Sequence, residues 1–404
     1  MTETAAGRLE ERAVEMDFDP FDEAFLEDPY PLHGALRDAG PVLHIPRYGI
    51  HACARYAEVM EVLRDHATYC SARGVGLQDF KTDPPWRPAS LLLEADPPEH
   101  TRARTLMNRI VSLPALKKVR DRWQVQAEEL ADRLVAKRRF DAVTDLAEVF
   151  PLSVFPDAIG IMEEGREHML PYAAAVFNAY GPRNRVFLSS EAKLPAANAW
   201  VAEACKRKNL QPGSWGMGIF DAVDAGEISE EEGERLVRSF LSAGVDTTIN
   251  SIGNMMLAFA TYPDQWAVLR QEGSLVRKAF EEALRWDSTA QIFCRTTTRE
   301  VDLAGVRLPE GAKVLLFLAA ANRDPRKWDN PDAFDIRRHT SGHVAFGYGI
   351  HQCLGQMVAR QEVELLLAAL RERIASIRMT GPLVRRLNNS LHAMASLPVE
   401  IEPA

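Results

Sequence analysis

Ten residues constrain this chain more than any other stretch: Phe346-Gly347-Tyr348-Gly349-Ile350-His351-Gln352-Cys353-Leu354-Gly355, directly ahead of a long helical pattern that starts near Gln356. Three glycines in ten residues mark a tight loop with unusual backbone angles, closely approached by another body. A cysteine in such a loop, at a helix N-terminus, meets inward-pointing N–H groups and the positive end of the helix dipole. Both favour a thiolate, which serves as a nucleophile or a metal ligand. The commonest state of a cysteine is nevertheless buried and inert. A zinc site built from His343, His351 and Cys353 fails on spacing, because no second CxxC or HxxxH pair lies nearby. A catalytic Cys–His pair stays open but leaves Phe346 and the glycine framing unexplained. A lone thiolate in a glycine-rich loop, with an aromatic seven residues before it, suits a haem iron. The ligand loop must approach the macrocycle closely, and backbone donors to the sulfur tune its electron donation.

Most of the remaining chain has helical periodicity. The clear segments are Ala52–Asp65, Glu99–Arg109, Leu116–Ala136, Leu236–Ala260, Asp264–Arg270, Val276–Arg285 and Gln356–Ile377. Strand signals are few: a hairpin from Val42–Ile45 and Ile50–Cys53, a meander from Val301–Leu303, Val306–Leu308 and Lys313–Phe317, and a terminal strand over Leu397–Ile401. Strands do not alternate with helices, which disfavours a doubly wound sheet. With no internal repeat and no long linker, the 404 residues read as one large, mainly α domain with a small β region.

The net charge of −9 argues against a nucleic-acid partner. Five scattered cysteines are too few for a disulfide scaffold, so reduced thiols and a cytoplasmic location are expected. The first twenty residues hold no apolar run, so neither a leader nor a membrane anchor is expected there. The longest apolar stretch, 236–261, is interrupted by Asp246, Asn250 and Asn254, and reads as a buried helix rather than a membrane span. Within it, Gly244 and Thr247 weaken the helix. Thr can bond back to the carbonyl four residues earlier and bend it.

The Phe-Gly-x-Gly-x-His-x-Cys-x-Gly pattern resembles the haem-binding loop of the cytochrome P450 family. The resemblance implies a triangular, mostly α single domain over 1–404, with haem b between the long central helix and the Cys loop. Cys353 matches the axial iron ligand, framed by Phe346 and Gly355. Glu282 and Arg285, 71 and 68 residues before Cys353, match the family's Glu-x-x-Arg pair, and Arg338 its partner arginine; these three read as structural. His100, Arg104, Arg295 and His343 match positions that hold the haem propionates, whose burial demands cationic or hydrogen-bonding partners. Ala243 and Gly244 match the family's opening for dioxygen. Asp246 and Thr247 match its acid–alcohol pair, which delivers protons as dioxygen is cleaved.

One sub-pattern narrows the substrate. Residues 70–80, 86–98 and 238–244 resemble the bacterial branch that oxidises para-substituted benzoates such as 4-methoxybenzoate, by hydroxylation or O-demethylation. That likeness implies a carboxylate anchor at Arg87, Ser90, Ser239 and Ser242, and apolar walls from Leu93, Phe177, Tyr180, Ala243 and Phe293. Ser239 precedes Thr247 by eight residues, about 12 Å and roughly 80° around a helix, so both can border one cavity. Arg238, about 180° from Thr247, is poorly placed for direct contact. Tyr180 departs from the phenylalanine expected in this branch and bears on which ring substituents are tolerated. The resemblance also implies a separate ferredoxin and ferredoxin reductase as electron source. Alternatives are a peroxide-driven peroxygenase, a monooxygenase of another small hydrophobic substrate, and a haem sensor without turnover.

Overall fold

The computed structural model describes residues 12–404. The start of the leaderless N-terminal reading therefore lies outside the described residues.

A broken central helix organises the fold. Its first half, Glu230–Ala243, opens with a reciprocal cap: the Ser229 hydroxyl accepts from the Glu232 amide (3.2 Å) while the Glu232 carboxylate accepts from the Ser229 amide (2.9 Å). Three glutamates in the first turn face the positive dipole end. The second half, Asp246–Thr261, is buried along nearly its whole length. Between them Gly244 and Val245 interrupt the ladder. The Thr247 hydroxyl donates to the Ala243 carbonyl (2.7 Å) and the Thr248 hydroxyl to the Gly244 carbonyl (3.2 Å). Two side chains thus occupy acceptors at the bend, and the single helix expected over 236–260 becomes two.

Around this axis pack the long Leu113–Lys137 and Gln356–Arg373 helices, with buried Trp123, Leu130, Leu366 and Leu370. The latter helix was expected to reach Ile377. It ends at Arg373 because Ile374–Met379 leaves as a strand paired with Pro398–Pro403, which also pairs with Arg139–Asp141. Likewise the helix expected from Ala52 starts at Tyr56, since Ile50–Cys53 is the second arm of the hairpin with Leu43–Ile45.

The main sheet has six strands in the order Val14–Glu15, Leu43–Ile45, Ile50–Cys53, Lys313–Phe317, Ile292–Thr297, Tyr69–Cys70. The meander expectation is corrected here. Val301–Leu303 and Val306–Leu308 form an isolated hairpin, while Lys313–Phe317 runs parallel to Ile50–Cys53 and antiparallel to Ile292–Thr297. The last three residues before the Lys313 strand turn it away, and its five buried residues belong in a central position. The long Ile292–Thr297 strand had no sequence expectation, and it carries both Phe293 and Arg295. No helix among the described residues is long and apolar enough to cross a membrane.

Candidate active site

The Cys loop is fixed by its own backbone. The Cys353 amide donates to the Phe346 carbonyl at 2.8 Å, and the Gly347 amide to the Val344 carbonyl at 2.8 Å. Gly349 has φ +72°, and a Cβ there would stand 2.6 Å from the Leu63 carbonyl oxygen, so only glycine lets the loop lie against that helix end. The amides of Gly355 and Gln356 donate to the half-buried Cys353 sulfur. Burial pushes the thiol above its ordinary range; those amides and the Arg104 and Arg360 guanidiniums act against it. Coordination to a haem iron would hold the sulfur as thiolate, because a coordinated thiol is deprotonated outright.

Cys353 faces a cavity of about 250 Å³ between the central helix and the Cys loop. Arg104, Ala243, Gly244, Thr247, Arg295, Phe346, Cys353 and Gly355 all line it. So do Arg87, Ser90, Leu93, Phe177, Tyr180, Ser239, Ser242 and Phe293. The residues fit a haem with two buried propionates. No carboxylate among the described residues lies within ion-pairing distance of Arg104 or Arg295. The former donates to the Gln352 carbonyl (2.6 Å), the latter to the Cys294 carbonyl (2.8 Å). Burial lowers Arg295 to about 10, still a cation at neutral pH, and the cavity offers it no anion of the protein.

His100 is buried beside His351, ring centroids 4.5 Å apart, with its Nε2 unpartnered. Burial, then His351 and Arg104, hold it near 4, so it presents a neutral ring to its surroundings. His351, the histidine of the loop pattern, lines the cavity between the Leu92 carbonyl (3.0 Å) and Asp96 (3.7 Å).

His343 is not among the residues that line the cavity; its Nε2 lies 2.8 Å from Glu281, which also pairs with Arg360. Burial alone would raise Glu281, but His343 and Arg360 hold it down at about 2.

Asp246 and Thr247 part company at the helix break. Thr247 lines the cavity. Asp246 is fully buried and off the cavity wall, its Oδ1 accepting from Asn250 Nδ2 (2.9 Å) and from Arg386 (2.5 Å), with Oδ2 unpartnered. The two residues are adjacent in sequence yet face different surroundings, since neighbours on a helix point about 100° apart. Arg386 comes from the Val384–Arg386 strand, 140 residues away, and nothing in the sequence announces the pairing.

The Glu282 carboxylate receives Arg285 twice (2.7 and 2.8 Å), Arg338 (3.1 Å) and the Asp335 amide (3.0 Å), with Glu282 and Arg285 wholly buried. These residues hold the segment leading into the Cys loop and do not line the cavity.

Residues 216–373 match the Cytochrome P450 family. The chain is 52% identical over 390 residues to cytochrome P450 CYP199A2 of Rhodopseudomonas palustris, covering 96% of this chain and 95% of that protein. This chain belongs to the cytochrome P450 family. A vitamin D(3) 25-hydroxylase of Pseudonocardia autotrophica is 32% identical over 398 residues, covering 95% of this chain and 96% of the relative. Among solved structures, P450 CYP109Q5 from Chondromyces apiculatus superposes with a TM-score of 0.81 at 28% identity, covering 97% of this chain and 99% of that one. As a P450 monooxygenase, the chain binds haem b through a cysteine thiolate, and Cys353 is the cysteine on the cavity wall; bound haem supplies the oxygen-activating chemistry. The protein's own groups then shape the pocket, exclude water and hold the substrate.

Proposed function

We propose that this P450 oxidises a small aromatic carboxylate, a para-substituted benzoate such as 4-methoxybenzoate, with dioxygen and two electrons from a ferredoxin and its reductase. The observation that carries the reading is the set of donors gathered at one end of a largely apolar cavity wall. The Ser90 oxygen accepts from the Leu92 and Leu93 amides (3.3 and 3.1 Å), so its proton is free to donate. Arg87 Nε is buried without a partner. Ser239 and Ser242 donate to the Arg235 and Ser239 carbonyls (3.1 and 3.2 Å) and reach a ligand by rotating. Hydrogen bonds to a charged group contribute about 1.5–3 kcal/mol each, so two or three offset much of a carboxylate's lost hydration. Arg238 donates instead to the Pro88 carbonyl (3.0 Å), securing the loop that carries Arg87. Phe177, Tyr180 and Phe293 stack edge to face and tilted at 5.7 and 5.8 Å, a wall for an aromatic ring. Anchoring one end of a flat acid fixes which ring position faces the iron. Thr247 on the wall, with Asp246 behind it, supplies protons to the reaction and favours dioxygen over peroxide as oxidant.

The test is a titration of the ferric haem protein with 4-methoxybenzoate and with its methyl ester. The acid is expected to move the Soret band to shorter wavelength and to be oxidised when ferredoxin and reductase are supplied. A shift given by the ester and withheld by the acid refutes the anchor.

A further inference from the structure

Behind the anchor end of the cavity stands an anion of the protein. Glu94 is buried, 5% exposed, and its side chain lies against Arg87, whose side chain is 9% exposed. The contact is bidentate: Arg87 donates to both carboxylate oxygens at 2.9 and 3.1 Å. The Ser90 amide donates to the same carboxylate at 2.7 Å. A third bond from Arg87, to the Pro88 carbonyl at 3.1 Å, leaves Nε as the guanidinium's unpartnered nitrogen. Arg87 and Ser90 line the substrate cavity and Glu94 does not. Glu94 instead lines a small adjoining pocket, shared with Arg87, Tyr180 and Trp86, on the other side of the pair.

We propose that Glu94 is a specificity-determining residue: an internal carboxylate that competes with the substrate's carboxylate for Arg87. The inference rests on the aromatic-acid reading above. A substrate anion reaching Arg87 meets a guanidinium already neutralised by a fork-to-fork pair, so Arg87 itself offers no net positive charge, and the remaining cations at this end, Arg235 and Arg238, are turned to the Ala89 and Pro88 carbonyls. Two carboxylates across one guanidinium repel each other, and the low local dielectric strengthens that repulsion. Glu94 therefore weakens the binding of acids while positioning the Ser90 turn. It leaves neutral aromatics of the same shape unaffected. The Tyr180 hydroxyl lies at this pair too: its proton is held above the ordinary phenol range by burial and then by Glu94, with Arg87 opposing.

The experiment is a Soret titration of the haem-loaded protein, unaltered and as Glu94→Gln, with 4-methoxybenzoate and its methyl ester. Glutamine keeps an acceptor for Arg87 and for the Ser90 amide but removes the charge. Glu94→Gln is expected to bind the acid about tenfold more tightly, the effect of deleting a like charge one guanidinium away with partial screening, and to bind the ester unchanged. The double variant Arg87→Gln, Glu94→Gln is expected to lose that gain. Unchanged or weaker acid binding in Glu94→Gln, with the ester intact, overturns the competition. Equal loss for acid and ester makes Glu94 a support of the 90–94 turn and overturns it as well. Should the unaltered protein bind the ester and not the acid, the aromatic-acid reading falls and takes this inference with it; acid binding in the unaltered protein without the Glu94→Gln gain removes the inference alone.

Discussion

Gly244→Ala separates what helix propensity expects from what packing decides. Glycine in a helix costs about 1 kcal/mol relative to alanine, so the sequence taken alone forecasts a gain. The backbone at Gly244 is ordinary, φ −86° and ψ −21°, and admits an alanine. The space does not. A Cβ there would stand 2.3 Å from Cε1 and 2.5 Å from Cζ of Phe155. Phe155 is 3% exposed and boxed by Trp215 and Phe240, with ring centroids 6.2 and 6.0 Å away. Its ring must retreat by roughly 1 Å to reach a normal carbon–carbon separation. Overpacking of this kind costs about 1–3 kcal/mol, so after the propensity gain a net loss of about 1 kcal/mol or somewhat more is expected. Because Phe155 and Gly244 both line the cavity, the displaced ring also reshapes it. Denaturant unfolding of the haem-loaded protein, followed by far-ultraviolet circular dichroism, measures the loss. In a Phe155→Leu background the Gly244→Ala loss is expected to shrink by at least half, since the two sites share the contact. If Gly244→Ala proves as stable as the unaltered protein or more so, the packing argument is wrong.

Three further outcomes are expected. Glu282→Leu strands the wholly buried Arg285 and should cost about 3–5 kcal/mol in the same unfolding assay; a cost near zero would mean the pair is dispensable. The Glu281 carboxyl, held at about 2 when folded against about 4.5 unfolded, contributes stability that is fully present above pH 4.5 and lost as pH falls toward 2. Glu281→Gln should therefore flatten the acid limb of a stability-versus-pH curve between those values, and an unchanged limb contradicts the His343–Glu281–Arg360 assignment. Thr247→Ala should lower product formed per electron consumed several-fold while leaving the substrate-induced Soret shift intact, a split read by comparing reductant consumption with product yield.

The sequence by itself settled what is written locally. The 346–355 pattern identified the thiol loop, because glycine spacing, an aromatic and a cysteine lie within one turn of chain. Helical periodicity announced helices over Leu116–Ala136 and Gln356–Ile377, seen as Leu113–Lys137 and Gln356–Arg373, because a buried stripe repeats every few residues inside one element. Helix ends were harder, since Ile374 continues the apolar pattern while its backbone joins a strand. Only the tertiary structure decided who pairs with whom. Arg386 claims Asp246 across 140 residues, Glu281 claims His343 across 62, and Glu94 folds back on Arg87 within a segment that forms no helix. Ion pairs of this kind depend on where separate elements come to rest, and a buried charge takes whichever opposite charge packing delivers. The chemistry at the cavity was legible in residue types. Which of those residues face the cavity, and which are already committed to one another, belongs to the fold.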